Sequence, residues 1–452
     1  MPKTENPADT PAHDVRIRAG VRPGTTRTVQ VDYLARVEGE GGLRVYVRDG
    51  QVEDVELRIF EPPRFFEAFL RGRGLEEAPD ITARICGICP VAYQTSACEA
   101  IEDACGVVVD GPLRDLRRLL YCGEWIESHT LHVYLLHAPD FLGYHGAIEM
   151  AADHRAAVEQ GLALKKVGNQ IVEMVGGRAI HPVNVRVGGF YRVPTRRELQ
   201  PLLEDLLRVR SIAEDTVRWV GGFDMPDLTY DHELVALSRP DEYAVVGGHI
   251  ASSSGLDLTP DAFLDEFVEQ HVARSNALHA YRTDGTRYLV GPMARFALGY
   301  DRLSEGARAA AAEVGLGPDD RNPFRSIVVR AVEVLHACDE AIALIEAYEP
   351  PDQPAVPVEP RAGVGHGVSE APRGLLYHRY TLDDEGMITD AVIVPPTSQN
   401  QPSIEADLFR LIEANLDLDD DALRHVCEQS IRNHDPCISC ATHFLELTVD
   451  RG

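Results

Sequence analysis

Arg84-Ile85-Cys86-Gly87-Ile88-Cys89 stands near the start of the chain, and Asp435-Pro436-Cys437-Ile438-Ser439-Cys440 stands almost at its end. Each Cys-x-x-Cys pair is short enough to offer both sulfurs to one ion, and together they complete the four-thiolate set that soft metals select. Zinc, nickel and iron all satisfy that donor set. A structural zinc module usually closes over a few tens of residues, because it stabilises a small local fold. A loop of about 350 of the 452 residues fits that role badly.

Composition narrows the setting. Forty-four basic residues against 72 acidic ones give a formal charge of −28, which argues against nucleic acid or an anionic membrane as a main partner. A hydrophobic fraction of 44 % is ordinary for a globular protein, and the length allows two or three subdomains around a large core. Nine cysteines do not form the even framework of a secreted disulfide scaffold, so a reducing cytoplasm is the expected compartment. Five of them, Cys98, Cys105, Cys122, Cys338 and Cys427, lie in helical patterns without paired spacing and read as small buried hydrophobes. No run approaches the roughly 18 apolar residues that span a bilayer, so no direct membrane insertion is expected. Residues 1–30, rich in Pro, Thr, Asp and Arg and without the apolar stretch of a signal peptide, read as a flexible tail.

Outward from the cysteines, residues 28–60 alternate apolar and polar side chains around Asp49-Gly50, the pattern of a hairpin or small sheet. Phe65, Phe66, Phe69 and Leu70 then share a helical face. Long helical patterns cover residues 90–105, 113–136, 147–175, 196–221, 260–276 and 322–348. Residues 353–367, rich in Pro, Val and Gly, read as a connector; residues 375–395 return to strand alternation, and 403–433 to a helix. Pro90 after Cys89 suits a first helical position, and Asp435-Pro436 reads as an N-cap and N1 pair ahead of the second cysteines. A helix N-terminus lowers a thiol pKa, which favours the thiolate that a metal binds. The fold class is α+β, mainly α: a central bundle of long helices with small peripheral sheets.

The motifs resemble those of the large subunit of nickel-iron hydrogenases, from Val31 to His443, with Arg-Ile-Cys-Gly-Ile-Cys and Asp-Pro-Cys-x-x-Cys-x-x-His both intact. The resemblance implies that residues 31–443 form the hydrogenase domain. Cys86 and Cys437 would bind nickel terminally, and Cys89 and Cys440 would bridge it to an iron carrying carbon monoxide and cyanide. It assigns Glu38, in Arg36-Val37-Glu38-Gly39, to proton relay, and Glu67 with His443 to a magnesium ion. In Glu370-Ala371-Pro372-Arg373-Gly374 it places Arg373 over the open face of the metals, where a guanidinium can polarise a bound molecule. Leu376 would line the pocket for the diatomic ligands. Pro396 and Thr397 would cradle a cyanide, although the family often has serine and a following tryptophan where this chain reads Thr397, Ser398 and Gln399. His129, His132 and His181 resemble residues around the site. Tyr93 stands where many membrane-bound members have histidine, the wording of the soluble bidirectional branch (sulfhydrogenase alpha-like).

The implied activity is reversible heterolytic cleavage of H2, with Cys437 or Arg373 as first proton acceptor and Glu38 as relay. The chain has no further cysteine cluster for an iron-sulfur centre and no Gly-x-Gly-x-x-Gly fingerprint for a nucleotide. Electrons therefore require an iron-sulfur small subunit, and the branch implies flavin and NAD(P) diaphorase subunits beyond it. Residues 444–452 read as a C-terminal tail that a maturation protease removes, against a retained terminal strand. Two other readings accommodate the cysteines: a hydrogen-sensing regulatory hydrogenase, and a zinc-stabilised interaction protein.

Overall fold

The computed structural model describes residues 26–442. Its first element is the antiparallel sheet β1 (Thr26–Val31), β2 (Gly41–Arg48) and β3 (Gln51–Ile59), in that order, with Val45 facing Val29 on one side and Val55 on the other. The strand begins inside the stretch expected to be a tail; residues 1–25, and His443 with the tail beyond it, lie outside the described residues. After α1 (Pro90–Cys105), four long helices form the centre: α2 (Pro112–Leu131), α3 (Arg155–Gly176), α4 (Arg196–Gly221) and α5 (Ser326–Ala347). α2 packs on α3 and α5, and α4 packs on α5 and α3. α4 shows why these segments are helical. Thr195 and Glu198 form a capping box, and Leu199, Leu202, Leu206, Val209, Ala213, Val217 and Val220 recur at helical spacing on its buried face.

A second sheet follows, β4 (Gly363–Ala371), β5 (Gly374–Leu382) and β6 (Ile388–Val394), antiparallel throughout. α1 lies directly on β4. That approach is possible only without side chains: a Cβ on Gly365 would stand 1.9 Å from the Ala100 carbonyl oxygen, and one on Gly367 2.1 Å from that of Ser96. The glycines that suggested a connector thus serve close packing, and the strand starts at Gly363. Among the described residues, α6 (Pro396–Ala414), α7 (Asp420–Asn433) and a four-residue helix, Ile438–Ala441, come last.

Other expectations are corrected. The helix expected over 260–276 is a 3-10 turn and one helical turn, after which Phe267–Gln270 pairs with His279–Arg282 as a strand. Phe267 stacks on Phe263 and meets Tyr288 in an apolar cluster, so tertiary packing overrides the helical period. The pattern over 147–175 breaks at His154, and that over 113–136 passes into a π-helical turn, His132–His137. The 403–433 stretch is shared between two helices, α6 and α7.

The two ends of the chain meet. Val29, Val45, Val55 and Leu57 of the first sheet share a core with Ile404, Leu408, Ile412, Leu423 and Ile431 of α6 and α7. Beside it, Asp140 takes both Arg432 (2.7 and 2.8 Å) and Arg36, and Arg432 donates to the Ala35 carbonyl at 2.9 Å. Burial opposes the Asp140 charge, yet His137 and Arg432 outweigh it and hold its pKa well below the ordinary carboxylate value.

Two substitutions test this packing. Gly367→Ala forces α1 off the sheet and lowers stability by about 1–3 kcal/mol or more, read from denaturant melts. Asp140→Asn removes the carboxylate charge shared by Arg36 and the buried Arg432 and costs about 3–5 kcal/mol at pH 7. Because the folded pKa is depressed, that difference is full above the unfolded carboxylate value near pH 4 and shrinks as the pH falls below it. A variant deficit that stays constant down to acid pH contradicts this assignment.

Candidate metal centre

The first cysteine pair hangs between two structural anchors. A 3-10 turn, Ala83–Ile85, ends at Cys86, and Cys89 occupies the cap of α1 with Pro90 at its first position, in agreement with the sequence reading. Cys89 supplies no capping side-chain bond, and Glu124 of α2 takes that role from outside, accepting from Val91 N at 2.6 Å and Ala92 N at 3.2 Å. The Cys86 sulfur in turn accepts from the backbone N–H groups of Ile88 (3.3 Å) and Cys89 (3.4 Å).

The second pair arrives differently from its expected cap. Asp435 has a left-handed φ of 48° and does not cap a helix; the helix starts at Ile438 with Cys437 at its cap. Asp435 is engaged elsewhere, its carbonyl and carboxylate both receiving Arg373. The backbone of Cys437 bridges to that of Glu38, where Ile438 N donates to Glu38 O at 3.0 Å. Gly39 makes this contact possible, since a Cβ there would meet Ile438 Cβ at 2.7 Å.

The result is one cluster. All four thiols are buried and lie within 4.8 Å of one another. The shortest contact lies within the second motif, Cys437 to Cys440 at 2.7 Å, and the two motifs meet at Cys86 to Cys437 (3.4 Å) and Cys89 to Cys440 (3.6 Å). Cys86, hydrogen-bonded by the other three, is pushed well down, whereas burial pushes Cys437 and Cys440 up. Four buried sulfurs cannot all ionise on their own, but cations placed among them deprotonate them all, so the donor set fits soft metal ions. The remaining five cysteines are buried and lie outside this cluster.

Glu38 and Arg373 flank the thiols. Glu38 Oε2 accepts from Cys437 Sγ at 3.1 Å and from Ser439 N at 3.0 Å. Burial, then the Cys86 charge, raises its pKa above the usual carboxylate value. Arg373 occupies the tip of a two-residue turn between β4 and β5, since Ala371 pairs with Gly374. Its Nε donates to Asp435 O at 2.9 Å. Burial works against the guanidinium charge, but Asp435 and the charges of Cys437, Cys89 and Cys86 outweigh it. Thr397 accepts from Cys437 N at 3.0 Å, with Pro396 at the start of the same helix. Leu376 is fully buried in the core that includes the four cysteines. Glu67 accepts from Ile393 N at 2.8 Å, away from the thiol cluster, and His443 lies outside the described residues.

The three histidines lie outside the four-thiol group and meet other residues. His129 faces Glu333 at 3.0 Å and burial holds its pKa down to about 4; His132 meets the Arg432 carbonyl at 2.7 Å, and His181 the Ala83 carbonyl at 2.7 Å. Sequence reasoning missed Glu124 and the site role of Asp435. Asp435 precedes the second pair by two residues, which is a usable signal; Glu124 gave none, since its role depends on α2 crossing α1.

The profile of nickel-dependent hydrogenases matches residues 64–163 and 274–443, more than half of the chain. The alpha chain of sulfhydrogenase 1 from Pyrococcus furiosus is 33% identical over 426 residues, covering 93% of this chain and 98% of that protein. Its counterpart in sulfhydrogenase 2 of the same organism is 32% identical over 426 residues, covering 93% and 100%. The crystal structure of an NAD+-reducing NiFe hydrogenase in the H2-reduced state superposes with a TM-score of 0.84 at 29% identity, covering 92% of this chain and 99% of that one. The chain belongs to the nickel-dependent hydrogenase family, as the large, catalytic subunit of a nickel-iron hydrogenase. The sensing and zinc-module readings find no support in these matches.

Metal analysis checks the centre. Purified protein should contain nickel and iron, and Cys86→Ala or Cys437→Ala should remove the nickel. Zinc at one per chain with neither nickel nor iron contradicts the assignment.

Proposed function

We propose that this subunit cleaves H2 heterolytically and reversibly, sends the proton through Cys437 and Glu38, and passes electrons through an iron-sulfur small subunit to flavin and NAD(P) diaphorase partners. The 3.1 Å contact between Cys437 Sγ and Glu38 Oε2 carries the proton half of this reading. The four thiols, all within 4.8 Å of one another, would hold the centre, and by the resemblance Cys86 and Cys437 would bind nickel while Cys89 and Cys440 would serve both nickel and an iron carrying carbon monoxide and cyanide. When bound, the nickel-iron centre supplies the Lewis acid that polarises H–H and the capacity for two electrons.

The chain's own groups then handle charge and protons. The Cys437 sulfur takes the proton and hands it along its hydrogen bond to Glu38, whose raised pKa lets the carboxyl hold it. Glu61 takes the Ser439 hydroxyl at 2.6 Å, placing a second carboxylate beside the relay. Arg373 sets a fixed positive charge against the thiolates and favours negative charge developing on the open face. Leu376, Pro396 and Thr397 would surround the diatomic ligands, Thr397 through the same hydroxyl that accepts from Cys437 N.

Glu67 with His443 would hold a magnesium ion. Support comes from Arg64, three residues before Glu67, which donates its N–H to the Thr442 carbonyl at 2.8 Å and so brings the end of the described chain beside that segment. We assign electron transfer to NAD(P) from the NAD+-reducing relative and from Tyr93, whose fully buried ring replaces the histidine of membrane-bound members. No described helix is long and apolar enough to cross a membrane, and the proposed site of action is the cytoplasm. A maturation protease would remove the residues beyond His443.

Infrared bands of metal-bound carbon monoxide and cyanide, together with H2-dependent NAD(P) reduction by the purified complex, are the expected results; a metal-loaded sample without those bands refutes the centre. Glu38→Gln keeps the bands and lowers H2 oxidation by about 10²–10⁴-fold. Bands lost along with activity would make Glu38 structural and refute the relay. Intact mass of the active protein ends at His443 if the tail is cleaved.

A further inference from the structure

A two-residue turn holds Arg373 at its tip, yet such a turn fixes neither the height nor the direction of the guanidinium. A second arginine does. Arg295, on the short helix Pro292–Gly299, is 2% exposed. Its Nη1 donates to Ala371 O at 2.9 Å and Glu370 Oε2 at 3.0 Å; its Nη2 donates to Pro372 O at 3.0 Å and Glu333 Oε2 at 2.9 Å; its Nε donates to Glu333 Oε1 at 2.8 Å. All five N–H groups are used. The guanidinium also lies 4.5 Å from the ring centre of Trp125, whose indole N–H donates to Glu370 O at 3.0 Å.

The backbone is fitted to the same contact. Gly291 and Gly374 both have positive φ, and a Cβ on Gly291 would stand 2.6 Å from the Arg373 carbonyl oxygen. Glu333, on α5, itself accepts from the Tyr243 hydroxyl at 2.7 Å, and Glu370 accepts from Leu237 N at 2.8 Å. Both carboxylates are fully buried. A buried ionic cluster is a poor source of net stability, because well-packed apolar residues of similar volume serve as well or better. What it supplies is direction: a planar guanidinium reads two carbonyls and two carboxylates at once, which an ammonium cannot do.

We propose that Arg295 is a positioning residue of the hydrogenase reaction, clamping the 370–373 tip so that the Arg373 guanidinium stays against the four thiols. Asp435 secures the far end of the Arg373 side chain, and Arg295 secures its root. The inference rests on the role given to Arg373 above.

The test is a double-mutant cycle on the purified holoenzyme complex, with nickel and iron quantified and infrared spectra recorded. Arg295→Lys and Arg373→Lys should each lower H2-dependent dye reduction by about 100-fold with metal content unchanged. Both should shift the carbon monoxide and cyanide bands in the same direction, and the double variant should be no worse than Arg373→Lys alone. Near wild-type activity of Arg295→Lys beside a crippled Arg373→Lys overturns the clamp, as do losses that multiply in the double variant or metal lost from Arg295→Lys. A harmless Arg373→Lys removes the role of Arg373 itself, and the clamp with it. If Arg295→Lys does not fold, Glu333→Gln takes its place in the cycle and the same criterion of non-additivity decides.

Discussion

The metal centre exists because the first sheet and the last helices close on one another along a single apolar seam. Valine and leucine side chains of β1 to β3 lose water by packing on α6 and α7, and the segments that follow β1 and α7 carry Glu38 and Cys437. The buried Asp140, shared by Arg36 and Arg432, sets the register of that seam. Such a pair contributes little net stability, while removing one partner leaves an uncompensated buried charge. From it follow the backbone bridge between Glu38 and Cys437 and the meeting of sulfurs from opposite ends of the chain.

Burial then converts position into chemistry. Water is excluded from the thiols, so each neighbouring charge acts at low dielectric and has a large effect. Burial raises the Glu38 carboxyl above the usual carboxylate value, and Asp435 with the neighbouring sulfurs favours the buried Arg373 charge. The same burial requires every backbone donor near the site to have a partner, which Glu124 and Thr397 supply from distant parts of the chain. Groups that touch no substrate thereby determine how tightly the reacting ones are placed.

Much of this was legible in the order of residues. The bounds of α1 and α4 agree with the helical period residue for residue, because each has a clear start signal, Pro90 in one case and Thr195 in the other. Errors arose where a residue had two physical uses. Glycines 363, 365 and 367 have the composition of a turn, yet they lie in a strand because α1 approaches too closely for any Cβ. Asp435 has the chemistry of a helix cap, yet its carboxylate serves Arg373. Residues 260–276 have helical spacing, but aromatic stacking of Phe267 takes precedence.

Residue type and local spacing were enough to specify the donor set. Two Cys-x-x-Cys pairs select soft-metal chemistry wherever they meet, and their flanking residues specify the family. Long-range packing decided the distances: four sulfurs within 4.8 Å of one another, Glu38 Oε2 at 3.1 Å from Cys437 Sγ, and Arg295 on the carbonyls of Ala371 and Pro372. The reason is distance along the chain. Local preferences act over a few residues, whereas these contacts join segments tens to hundreds of residues apart, and such pairs form only when burial of the whole core aligns them.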